Sequence, residues 1–200
     1  MPRFLPGVLA MAAIVLASNI LVQFPIGNWL TLGAFTYPLA FLVTDVMNRV
    51  HGPAAARQVV WAGFVTGVAF SLVAAGMQTT TLRIAIASGS AFLLAQLVDI
   101  AVFDRLRSGE WWRAPLASTL FGSVLDTVLF FGIAFSALLP GDANTGWANE
   151  AVPLVGHGPL SPLWVSLAVA DWMIKLCLAL LALVPFRMIV RNLLRRSDES

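Results

Sequence analysis

The sequence predicts an all-α, polytopic membrane protein: one bundle of six transmembrane helices with both chain ends in the cytoplasm. Three observations carry this. The 200 residues are 59% hydrophobic and only 11% charged, whereas a soluble domain usually carries about twice that charge. The apolar residues fall into runs of about 20, the length a helix needs to cross the hydrocarbon. The basic residues cluster on one side of the resulting model, as orientation in a membrane requires.

The six runs are approximately Leu5–Phe24, Leu30–Val50, Val59–Met77, Ile84–Phe103, Leu116–Leu139 and Leu163–Ile189. Turn chemistry separates them: Pro25-Ile26-Gly27-Asn28, Gly52-Pro53, Gln78 to Thr81, Arg107-Ser108-Gly109, and the long Gly-, Pro- and Asn-rich stretch from Pro140 to Pro162, which has room for a short interfacial turn. With the N-terminus inside, ten of the twelve basic residues are cytoplasmic: Arg3, Arg49, Arg57, Arg105, Arg107, Arg113, Arg187, Arg191, Arg195 and Arg196. Arg83 alone lies outside, and Lys175 is within the sixth run. The net charge of +2 therefore reflects topology anchors, and no nucleic-acid partner is expected. The C-terminal RMIVRNLLRR is suited to touch anionic lipid. The opening MPRFLPGVLAMAAIVLAS imitates a signal peptide, but its removal would leave five spans out of register with the charge pattern, so it is read as the first span. Residues 1–200 are read as a single domain, without repeats.

Several chemistries are excluded. The lone lysine, Lys175, is not preceded by glycine, so no Walker A loop exists. His51 and His157 are far apart, Cys177 is a lone cysteine in an apolar run, and no His or Cys pattern would hold a metal. No cofactor, metal or catalytic residue is expected. Asp126 and Asp171 have no flanking sequence of an aspartyl protease.

The informative residues are polar ones inside the spans. An ionisable group at the bilayer centre costs roughly 2.5–3.5 kcal/mol on insertion scales, so each needs a partner or a polar cavity. The candidates are Asp45, Arg49, Asp99, Asp126, Asp171 and Lys175, with Asn19, Gln23 and Gln96 as neutral companions. At about 1.5 Å per residue, Asp126 is roughly 15 Å deep, and Asp171 is also near mid-span. Asp99 and Asp45 lie closer to the cytoplasmic ends. Spacing by four puts Asn19 with Gln23, Asp45 with Arg49, and Asp171 with Lys175 on common helix faces. Asp126 has no such partner on its own helix. Around it, in ASTLFGSVLDT, Ser118, Gly122 and Ser123 allow close helix approach.

The segments SNILVQFP, LGAFTYPLAFLVTDVMNRVHG, RIAIASGSAFLLAQLVDIAVFDRLR, WWRAPLASTLFGSVLDTVLFF and DWMIK resemble, in order and spacing, the queuosine precursor transporters, an integral membrane family formerly named for vitamin uptake. The resemblance runs from Ser18 to about Lys175 and has no counterpart for Gly141 to Pro162. It implies a transporter, not an enzyme, in the bacterial inner membrane. The implied cargo is 7-cyano-7-deazaguanine, and in some members 7-aminomethyl-7-deazaguanine, for tRNA modification. A deazaguanine base presents adjacent N–H donors that one carboxylate can accept and flat rings that stack on aromatics. Asp126 or Asp171 is expected to read that edge. Asn19, Gln23 and Gln96 complete the pocket, and Asp99 and Lys175 belong to the same polar set. Asp45 and Arg49 are expected to pair and to exchange partners with Asp99 or Arg105 as a latch. The partners expected are the base and the lipid bilayer; a homodimer is a reasonable assembly. The competing functions are a substrate-binding membrane subunit that needs a separate ATPase, an intramembrane enzyme, and a structural protein.

Overall fold

The computed structural model describes residues 4–22, 24–77, 80–139 and 143–198. It is a helical bundle. In chain order come α1 (Leu5–Leu21), α2 (Gly33–Thr36), α3 (Leu39–His51), α4 (Pro53–Gly76), α5 (Leu82–Leu106), α6 (Arg113–Phe135) and α7 (Leu163–Asp198). Two small hairpins interrupt them: β1 (Pro25–Ile26) with β2 (Leu30–Thr31), and β3 (Ala151–Pro153) with β4 (Leu160–Pro162). Two 3₁₀ segments, Ala143–Asn149 and Leu154–Gly156, lie in the described part of the α6–α7 loop. That loop is tied down by Ser166 of α7, whose hydroxyl accepts the Val155 N–H at 3.0 Å.

Among the described residues, four helices (α4, α5, α6 and α7) are long and apolar enough to cross a membrane. The run expected as an unbroken second span, Leu30–Val50, is not one helix. It begins in the β1–β2 hairpin, turns through α2, and restarts as α3. Pro38 is the cause: it has no N–H to donate, and the chain passes it with tight i→i+3 bonds, Ala40 N to Tyr37 O and Phe41 N to Pro38 O. The fifth run likewise ends at Phe135, four residues before the expected Leu139.

Burial runs opposite to that of a soluble protein. Large apolar side chains face outward, among them Leu9, Val65, Val128 and Leu181, while Thr44, Asp45, Asn48, Gln96, Asp99, Ser118, Asp126 and Lys175 are buried. Hydrocarbon solvates the first set and cannot satisfy the second. The apolar interior forms three clusters: one joins α1, α3, α4 and α5 through Met11, Met47, Val59, Val60 and Phe92; one sits around Phe103 and Phe186; one sits around Phe131 and Phe135.

Helix ends are closed by arginines. Arg49 donates to the Arg107 carbonyl, and Arg107 donates back to the carbonyls of Asn48 and Arg49, each at 3.4 Å. Arg83 reaches the last carbonyls of α6, Ile133 at 2.7 Å and Ser136 at 2.6 Å. Cations at helix C-termini satisfy orphan carbonyls and complement the helix dipole. The α3–α4 corner turns on Gly52, at φ +84°, a conformation that glycine alone adopts without strain.

α6 packs against α5 at Gly122. A Cβ there would sit 2.7 Å from Phe41 Cε1, 3.3 Å from the Ala95 carbonyl oxygen and 3.3 Å from Asp99 Cβ. Overpacking of this kind costs about 1–3 kcal/mol. Gly122→Ala should therefore lower the thermal midpoint of the detergent-purified protein, and Gly122→Val should lower it further. An unchanged midpoint for both would show that α5 and α6 are not in close contact there.

Candidate functional site

Two polar clusters form between the helices. The first is built on α6 and α7 and is completed by the break between α2 and α3. Asp126 faces α7 because Ser118, Thr119, Gly122, Ser123, Asp126 and Thr127 recur on one face of α6, all buried. On α7, Asp171 and Lys175 are one turn apart. The Lys175 ammonium bonds Asp126 Oδ2 at 2.7 Å and Asp171 Oδ2 at 2.5 Å. It also donates to the Thr127 hydroxyl at 3.1 Å, which in turn donates to Asp171 Oδ2 at 3.1 Å. Tyr37, placed by the interruption at Pro38, donates to Asp126 Oδ1 at 3.4 Å, and its ring centroid is 5.8 Å from the ammonium. Two carboxylates thus share one cation, leaving formal negative charge in the bundle. The Asp171 side chain keeps 17% of its surface exposed, against 5% for Asp126 and Lys175.

The second cluster lies between α3, α5 and the first turns of α6. Asp45 accepts from Ser118 at 3.0 Å and from Thr119 at 3.4 Å. Asp99 of α5 meets the same face of α6 one turn further on, its Cβ 3.3 Å from where a Gly122 Cβ would sit. As carboxylates neither can donate, and both Asp99 oxygens lack a donor although the residue is fully buried. Thr44 donates to Gln96 Oε1 at 2.6 Å, and Asn48 donates to the Ile100 carbonyl at 3.1 Å. Gln96 Nε2 and Asn48 Oδ1 are buried without partners. A cleft of about 170 Å³ reaches Asp45 and Thr119 between α3, α6 and α7.

The expected site residues thus fall into different places. Asp126, Asp171 and Lys175 meet. Gln96 and Asp99 belong to the second cluster, with Asp45. Asn19 bonds its own helix, donating to Val15 O at 2.8 Å, and shares a small cavity with Tyr37, Ser71, Ser88 and Phe92. Gln23 lies outside the described residues. The expected Asp45–Arg49 pair is not made: Asp45 turns to the hydroxyls of α6, and Arg49 caps α5. A shared helix face brings two side chains near each other, but here both are engaged by groups on neighbouring helices. Sequence reasoning missed Tyr37; the signal was the Tyr-Pro step inside an apolar run.

Comparison with known proteins gives a consistent match. The family model described as "Putative vitamin uptake transporter" matches residues 31–190. The chain is 33% identical to the "Queuosine precursor transporter" of Escherichia coli strain K12, over 94% of this chain and 86% of that protein. It is 31% identical to a "Probable queuosine precursor transporter" of Haemophilus influenzae, over 92% of this chain and 84% of that one. A protein of Bacillus subtilis strain 168 with the same name is 25% identical, over 85% of this chain and 75% of its own. No solved structure matches.

The shared ammonium makes a clear prediction. Removing one member of a buried ion pair costs about 3–5 kcal/mol, because it strands the other charge, whereas replacing the whole group with apolar or neutral residues is often tolerated. Lys175→Met should sharply lower the thermal midpoint, and adding Asp126→Asn and Asp171→Asn should recover most of the loss. If the triple variant were no more stable than the single one, the three residues would not be acting as a unit.

Proposed function

The chain belongs to the vitamin uptake transporter family, and on that premise we propose that it imports the queuosine precursor 7-cyano-7-deazaguanine into the cell across the bacterial inner membrane. The observation that carries the reading is the buried Asp126–Lys175–Asp171 group, whose one partly exposed member is Asp171. A guanine-like edge offers two neighbouring N–H donors and one carbonyl acceptor. Asp171 accepts the two N–H groups, Lys175 donates to the carbonyl oxygen, and Asp126 keeps the lysine charged and in place. Bonds to charged groups are the stronger kind. The Tyr37 ring, beside the ammonium, supplies a stacking surface. The aminomethyl analogue carries an extra cation and is accommodated through the formal negative charge of the same group.

Secondary carriers hold substrate near the bilayer midplane at interrupted helices. The broken α2–α3 unit, which delivers Tyr37, fits that pattern. In this reading α1, the α2–α3 unit and α4 to α7 make six crossings, residues 1–200 are one transport domain, and both ends are cytoplasmic. α1 and the α2–α3 unit are the short ones, at roughly 25–28 Å by helical rise.

Two measurements test the proposal. A ligand at 100 times its Kd stabilises the folded state by about 2.7 kcal/mol. 7-Cyano-7-deazaguanine should thus raise the thermal midpoint of the purified protein, guanine less so, and an unrelated vitamin not at all. Asp171→Asn should abolish the shift; an undiminished shift in that variant would remove Asp171 from the site. For the topology, a cysteine at Asn28 in a Cys177→Ala background should react with an impermeant thiol reagent added to intact cells. One at Ser108 should react only after permeabilisation. The reverse pattern would invert the orientation.

A further inference from the structure

We propose that the Asp45–Asp99 carboxyl pair is a proton-binding site that couples base import to the proton gradient. The pair is separate from the Lys175 group and is not needed to hold the base. Both residues are almost wholly buried, at 2% and 0% exposure, and both meet one face of α6, Asp45 at Ser118 and Asp99 at Gly122 one turn on. Two ionised carboxylates cannot share such a site without a counter-charge.

No cation faces them among the described residues. On α3, Arg49 is turned to the Arg107 carbonyl, and His51 is exposed. On α4, Arg57 is exposed. On α5, Arg105 is exposed, and Arg107 pairs with Asp104 at 3.1 Å and caps α3. On α6, Arg113 lies beside Glu110 at 3.9 Å; on α7, Arg187 stacks on Trp111 at 4.6 Å, and Lys175 is held by Asp126 and Asp171. α1 carries no charged residue from Leu5 to Leu21. What α6 offers instead is neutral: the hydroxyls of Ser118 and Thr119, both donated to Asp45.

One proton resolves this arrangement. It adds to a carboxylate oxygen of the pair, and the resulting O–H donates to the other carboxylate, giving Asp99 the partner that it otherwise lacks. On the other side of the membrane the same O–H bond breaks and the proton leaves to water. No electrons move. Asp45 lines the 170 Å³ cleft and Asp99 does not, so the pair is approached from the Asp45 side. A divalent metal has no comparable site: no three-residue acidic or histidine cluster exists among the described residues. Close packing at Gly122, against Asp99 Cβ, favours a proton over a larger ion. Because the base is neutral, moving it with one proton carries a positive charge inward, so import responds to membrane potential as well as to pH.

The coupling half of this inference rests on the base-carrier reading; the proton site itself does not. The test therefore has two arms. In an infrared titration of the purified protein, the carbonyl band of a protonated carboxylic acid should persist at neutral pH and disappear in both Asp45→Asn and Asp99→Asn. In proteoliposomes, labelled 7-cyano-7-deazaguanine should exchange across the membrane in the wild type and both variants. Only the wild type should accumulate it against its gradient, up to about tenfold for a one-unit alkaline interior with one proton per base. Absence of the band, a band untouched by both substitutions, or accumulation by Asp99→Asn equal to the wild type would overturn the proposal. So would accumulation driven by a sodium gradient at equal pH. A band that behaves as expected, in a wild type that exchanges no base, would leave the proton site standing and overturn the carrier reading instead.

Discussion

The Lys175 ammonium is the point on which the bundle depends. It has two carboxylates, one hydroxyl and one aromatic ring around it, drawn from α6, α7 and the interruption between α2 and α3. In water such contacts would be worth little, because solvent would take the place of any partner. In hydrocarbon no such exchange is available. Each charge is held by the others, and the helices that carry them are held with it. Much of the remaining architecture can be traced to this. α7 must present Asp171 and Lys175 on one face toward α6, α6 must keep small and hydroxyl residues on the matching face, and the chain before α3 must break to let Tyr37 reach in.

The same constraint explains why the apolar clusters alone do not specify the fold. Leucine and valine gain little by leaving lipid for the interior, since both are apolar. Register between helices is set by the groups that cannot face outward. Thr44 and Gln96 set it between α3 and α5, Ser118 and Asp45 between α3 and α6, and Arg49 and Arg107 at the ends of α3 and α5. Glycines then let the backbones close. At Gly63 a Cβ would lie 2.6 Å from Met11 Cγ, and at Gly7 2.5 Å from Met47 Sδ.

This division decides what could be read from the sequence. The helical runs and the depth of Asp126, Asp171 and Lys175 follow from composition and rise per residue, and the structure joins those three residues. Spacing by four also suggested Asp45–Arg49, yet that pair does not form. Periodicity reports which residues share a helix face. It says nothing of the competing partners on the next helix, where the α6 hydroxyls take Asp45 and the Arg107 carbonyl at the end of α5 takes Arg49. The break at Pro38 was hidden because hydropathy averages over a window and is blind to one missing N–H. Asp99 and Gln96 were recognisable as buried polar residues, but their separation from Asp126 depends on the order in which α3, α5, α6 and α7 pack.

α6 belongs to both polar clusters, and that gives the two a mechanical relation. Ser118 and Thr119 serve Asp45, and Asp126 and Thr127 serve Lys175, eight residues further along the same face. By helical rise the two levels are about 12 Å apart. Gly122 lies midway, where α6 packs tightly against α5, and the α5–α6 contact is the most extensive among the described residues. α6 therefore cannot rotate or slide to serve one cluster without changing the other. In the proposed proton cycle, a charge gained or lost at Asp45 changes what Ser118 and Thr119 are bonded to, and Asp126 and Thr127 move with any shift of α6. For the proposed carrier, the polar face of α6 is thus a shared rigid element that can be biased from two places.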